Sequence, residues 1–157
     1  MKFASVLRIL FFYLLSVVLA TALGSLVQSQ FNLLFLQEMA VPVDLPTRLA
    51  TSWHDLLHFT PIFGVMVAVT LFLALPIAEA LGRIFKPWRG LLYLLAGGGG
   101  IWVAFTLANH LLPMPTFIAA TRVSTGLACM MLAVGLGGWL FGRLTKPKAR
   151  RGLRVLG

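Results

Sequence analysis

Hydrophobic positions gather into four runs, at residues 6–27, 62–84, 91–112 and 117–142, with one long polar stretch between the first two and a basic end after the last. Coiled as α-helices, the runs would be about 33–39 Å long, enough to cross the hydrocarbon of a bilayer. The pattern therefore predicts an all-α integral membrane protein. Its single membrane domain is expected to be a four-transmembrane-helix bundle, with an outer segment at 28–61 and a tail at 143–157.

Lys2 and Arg8 precede the continuous apolar part of the first run, and Ala20-Thr21-Ala22 resembles a signal-peptidase site. A cleaved signal peptide is the competing reading. The run continues past that site to Val27, longer than a signal core, which favours a retained helix. Ser16, Ala20 and Gly24 recur every fourth residue, a small-residue stripe of the kind that lets helices approach closely in lipid.

In the outer segment, Asp44 is placed to cap a helix with Pro46 in its first turn. Leu45, Leu49, Trp53, Leu56 and Leu57 fall on one side of a helical wheel, and Thr47, Thr51, His54 and His58 on the other. This predicts an interfacial amphipathic helix between transmembrane helices 1 and 2, with Trp53 at the headgroup level and Pro61 opening the next span.

Pro76 should kink the second span by freeing the carbonyl of Phe72. Glu79 and Arg83 follow at i, i+4 spacing as an inner ionisable pair. One reading makes them an interfacial ion pair; the sharper one makes Glu79 a buried carboxylate of a proton-coupled carrier. The third run contains Gly97, Gly98, Gly99 and Gly100, expected to pack backbone against backbone or, alternatively, to open into an irregular turn. In the fourth run, Gly138 and Gly142 satisfy GxxxG, which serves dimerisation or packing within the bundle.

Composition agrees with lipid: 59% of residues are hydrophobic, 11% are charged, and the mean hydropathy is +0.94. The single cysteine, Cys129, excludes an intrachain disulfide and a thiolate metal site. A net charge of +9 taken alone fits a nucleic-acid partner, but the Lys and Arg residues cluster at the ends of apolar runs. Two lie at the amino end, three between runs two and three, and six in the tail, against Arg48 and Arg122 in the two outer loops. The excess of eleven over two places both termini in the cytoplasm of a bacterial inner membrane, and makes anionic lipid, not nucleic acid, the tail's partner.

Gly82-Arg83-Ile84-Phe85-Lys86-Pro87 and Gly142-Arg143-Leu144-Thr145-Lys146-Pro147 read alike, as do Tyr13-Leu14-Leu15 and Tyr93-Leu94-Leu95. A duplicated helical hairpin accounts for this; so does chance matching of apolar helices with basic ends.

Catalytic signals are sparse. His54-Asp55-Leu56-Leu57-His58 spaces two imidazoles as HExxH does, but with Asp55 in place of the general-base glutamate and no third ligand at a metalloprotease spacing. The wet face of an amphipathic helix explains it equally. Gln28, Gln30, Asn32, Arg48, His54, Asp55, His58, Asn109, His110 and Arg122 all belong to the outer side. They form either a polar cluster for an anionic group or ordinary hydrated helix ends. No residue set calls for a cofactor. The expected role is a non-enzymatic subunit or helper of a membrane assembly, which associates with a second copy or another membrane protein through its small-residue faces. A small carrier or channel using Glu79 and the Pro76 kink is the alternative, and an outer-face metal enzyme the third reading.

Overall fold

The computed structural model describes residues 2–111 and 118–146, and only the backbone of Lys2. The expected end of the third helix at 112, the turn prolines Pro113 and Pro115, the start of the fourth helix at 117, and Lys148, Arg150, Arg151 and Arg154 of the tail lie outside the described residues.

The described residues are almost all helical, with no strands among them: α1 is Lys2–Glu38, α2 Leu45–Ile84, α3 Arg89–Leu111 and α4 Ser124–Leu144. Short 3-10 turns at Lys86–Trp88 and Ala119–Arg122 join them. All four helices are long and apolar enough to cross a membrane. Each packs on two neighbours, α1 on α2 and α4, and α3 on α2 and α4, which makes a four-helix bundle with α2 and α4 on one diagonal.

Two boundaries differ from expectation. The first helix does not end at Val27 but continues to Glu38, because the polar residues after Val27 find partners on neighbouring elements. It closes in a Schellman motif: the amide of Val41 donates to the carbonyl of Leu36 and that of Ala40 to Gln37, with Ala40 left-handed at φ 59°.

Nor is there a separate interfacial helix. Asp44 caps α2 as expected, accepting from the amide of Thr47, but the helix then runs unbroken through Pro61 and Pro76 to Ile84. Each proline removes one intrahelical hydrogen bond, and side-chain bonds hold residues 48–55 against α1. The expected outer segment, 28–61, is thus divided between the end of α1, the turn at 39–44 and the first part of α2, whose first third we call outer. The fourth helix also starts later than 117, at Ser124, after the turn at Ala119–Arg122.

The core is built from Phe63, Val67, Leu71, Tyr93, Ile101, Phe105, Met130 and Val134. Phe63 stacks between Phe59 and Phe105, at ring centroid distances of 5.3 and 6.3 Å. Around this core the small residues bring backbones together. Ser16 and Ala20 face Gly137 of α4, and Gly24 seats the Phe63 ring. Gly97 and Gly98 face the backbone of Val134, Gly135 and Met131, Gly100 faces Thr70 and Ala74, and Gly138 and Gly142 face Tyr93. The glycine run is regular helix, not an irregular turn.

These contacts correct two expectations. Gly99 packs against nothing, since a Cβ there would have no neighbour within 4 Å. The other expected packing residues spend their faces inside the bundle, GxxxG included, so they are not open surfaces for a second chain. Gly82–Ile84 and Gly142–Leu144, which open the two alike pieces, fall at the carboxyl ends of α2 and α4, and Pro147 lies outside the described residues.

Candidate functional site

The polar side chains form two clusters at opposite ends of the α1–α2 pair. At the outer end they make a seam. Ser29 donates to Asp55 Oδ2 at 2.7 Å, Gln30 Nε2 to the Ser52 hydroxyl at 3.1 Å, and Arg48 to Gln30 Oε1 at 3.0 Å and Gln37 Oε1 at 2.9 Å. Gln28 Oε1 accepts from the amide of Ala120 at 2.8 Å, which ties α1 to the turn before α4.

Of the ten outer residues singled out from the sequence, the seam therefore unites Gln30, Arg48 and Asp55. Asn32 is half-buried on α1, and Asn109, His110 and Arg122 are exposed at other ends. His54 and His58 are exposed and stack on one another at 4.1 Å, with His58 Nδ1 3.0 Å from the carbonyl of His54. Among the described residues, no group of three His, Cys, Asp or Glu side chains could hold a metal ion. Ser29, Gln37 and Ser52 were missed. A serine or glutamine in a polar stretch carries no signal of its own, and only pairing α1 with α2 reveals its partner.

At the inner end Glu79 is the hub. Arg89, the first residue of α3, places NH1 2.6 Å from Glu79 Oε2, and the Tyr93 hydroxyl donates to the same oxygen. Arg83 Nε donates to Oε1 at 3.2 Å. Arg89 NH2 also donates to the Tyr93 hydroxyl at 3.1 Å and lies 3.5 Å from the Thr145 hydroxyl at the end of α4. The side chains are 33% exposed for Glu79, 13% for Arg89 and 76% for Arg83, so the principal ion pair is with Arg89. The i, i+4 spacing pointed to Arg83, the weaker partner.

This geometry limits the chemistry. Both oxygens of Glu79 are engaged, by three donors from two helices, so the carboxylate is a fixed counter-charge joining α2 to α3. Three donors direct the two oxygens toward the protein, while the side chain stays one-third exposed. No family model, curated protein or solved structure matches the chain.

Proposed function

We propose that this chain is a non-enzymatic subunit or helper of a membrane assembly, in a bacterial inner membrane with both termini cytoplasmic, and that its partner is a membrane protein that lays an apolar helix against the outer third of α2. The observation that carries this reading is a mismatch of length. Leu45, Leu49, Trp53 and Leu57 form an exposed apolar strip that continues through Ile62, Val65, Val69, Leu73 and Ile77 to Ile84. As one helix of 40 residues, α2 is about 60 Å long, against about 30 Å of hydrocarbon and 40–45 Å of bilayer with its headgroups.

A tilt of the usual size does not close that gap. Some 15 Å of apolar strip is left outside the membrane's reach, while Arg48, Ser52 and Asp55 of the same stretch are engaged by α1. An apolar helix of a partner covers such a strip at little cost, because its own apolar face is covered in return. The small-residue faces support association less, since they are used within the bundle.

The test is a photo-crosslinking side chain at Leu49 or Trp53 in native membranes. The reading expects one adduct of discrete mass larger than the chain, lost in Trp53→Asp, and unchanged in His54→Gln. An adduct of twice the chain mass would replace the partner by a second copy. Crosslinks to lipid alone would overturn the assembly reading.

A further inference from the structure

The inner halves of α1 and α2 stand apart. Near mid-span the pair is bridged by Tyr13, whose hydroxyl donates to the carbonyl of Ala68 at 2.6 Å. Toward the inner end from there, side chains that a closed helix pair would bury stay exposed, among them Val6 at 61% and Phe72 at 68%. Between them lies a crevice of about 560 Å³, within the range of ligand-binding clefts.

The walls of the crevice are apolar and its rim is charged. Ile9 and Leu10 of α1 and Leu71, Phe72 and Leu75 of α2 line its length, and Tyr93 and Phe141 reach it from α3 and α4. Leu71 to Arg83 covers about 18 Å along α2, an elongated shape that suits an acyl chain better than a compact polar solute. Arg8 and Arg83, from the two facing helices, both line it. Glu79 is there too, paired closely with Arg89 and more weakly with Arg83, and one carboxylate against Arg8, Arg83 and Arg89 leaves the rim with surplus positive charge.

We propose that this crevice binds one anionic phospholipid, with an acyl chain between α1 and α2 and its phosphate held by Arg8 and Arg83. Charge complementarity selects the ligand. A cationic amphiphile would meet two arginines, and one without a phosphate would leave both unused, whereas a phosphate accepts several hydrogen bonds from each guanidinium; a choline on that phosphate would add a further positive charge to an already positive rim. Basic pockets between membrane helices are the usual place for such a headgroup. Pro76 also lines the crevice and gives no N–H to the carbonyl of Phe72.

The experiment is native mass spectrometry of the full chain in mild detergent, titrated with dioleoyl phosphatidylglycerol or dioleoyl phosphatidylcholine. One phosphatidylglycerol should be retained, at least about tenfold more tightly than phosphatidylcholine. The double variant Arg8→Gln, Arg83→Gln should weaken it about 30-fold, from two lost headgroup charges. Ile9→Trp keeps every charge, including those of the tail, and fills the crevice; it should abolish the one-to-one adduct. Equal retention of the two lipids, or an unchanged adduct in Ile9→Trp with an unaltered thermal melt, overturns the proposal. Displacement by millimolar inorganic phosphate would also overturn it, by showing an anion site that needs no chain. If Ile9→Trp melts early, Leu10→Phe and Val6→Phe are read in its place, with the same adduct loss required.

Discussion

Two glycines of one run should respond to the same substitution with opposite signs. A Cβ on Gly97 would stand 2.8 Å from the carbonyl oxygen of Val134 and 3.1 Å from the Cα of Gly135, both backbone atoms that cannot rotate away. Ordinary contact begins near 3.4 Å, so Gly97→Ala must part α3 from α4 by about 0.6 Å at that point. That separation also loosens the neighbouring contacts of Gly98 and Gly138. Overpacking of this kind costs about 1–3 kcal/mol. At Gly99 the same methyl meets nothing, and what remains is the gain from replacing glycine in a helix, about 0.5–1 kcal/mol. The two variants should therefore differ by about 2–3 kcal/mol. Reversible unfolding in mixed micelles, followed by circular dichroism across a denaturing-detergent titration, measures both midpoints. Gly97→Ala should unfold earlier than the parent chain, and Gly99→Ala at the same point or later. Shifts of the same sign and within about 0.5 kcal/mol of each other would refute the claim that this run is a one-sided packing face.

Glu79→Gln leaves the nearly buried Arg89 without its counter-charge, and should cost about 2–3 kcal/mol in the same assay, less than for a fully buried pair because Glu79 is one-third exposed; Arg83→Gln should cost under about 1 kcal/mol. Asp55→Ala removes the partner of Ser29, and should speed amide exchange across residues 45–56 while leaving the inner half of α2 protected. Ala40→Gly relieves the left-handed residue that ends α1, and should raise stability by about 0.5–1 kcal/mol; a loss would mean that the turn's entropy dominates. For topology, a reporter active only in the cytoplasm should work when fused after Gly157 or near Arg89, and fail within 37–47. Activity at 37–47 would overturn the four-crossing arrangement.

Helix number and type were legible because a run of some twenty apolar residues has few folded options in any solvent. The cap at Asp44 was legible too, since Asp followed by Pro two residues later is a local signal and Thr47 lies where the cap needs an amide. The outer helix boundaries were not. Hydropathy marks where a segment should leave the bilayer, whereas a helix ends only where its backbone bonds end. Gln28, Ser29 and Gln30 look like an exit from the membrane, yet as donors and acceptors for Ala120, Asp55 and Ser52 they extend α1 beyond it. Pro61 misled in the same way: proline is favoured at a helix start, but within a span it costs only one bond that neighbours can tolerate.

The inner site shows why a charged residue's partner is hard to read along the chain. Glu79 and Arg83 are neighbours on one helix face, which sequence spacing exposes, while Arg89 belongs to the next helix and registered only as one more positive charge at a cytoplasmic boundary. Its position at the very start of α3, just after a 3-10 turn at Lys86–Trp88, turns it back toward Glu79. Tyr93, one turn further on, contributes its hydroxyl from inside an otherwise apolar stretch, at the place where Gly138 and Gly142 admit its backbone and ring. The glycines of α4, the tyrosine of α3 and the glutamate of α2 thus constrain one another. A bulkier residue at Gly142 would displace the Tyr93 ring, and with it the donor that fixes Glu79 Oε2. Because Arg89 and Tyr93 hold the carboxylate from the α3 side, the more exposed Arg83 meets it through Nε, and the far end of its guanidinium can serve the crevice rim. The same packing that closes the bundle core therefore determines which positive charge remains available at its surface.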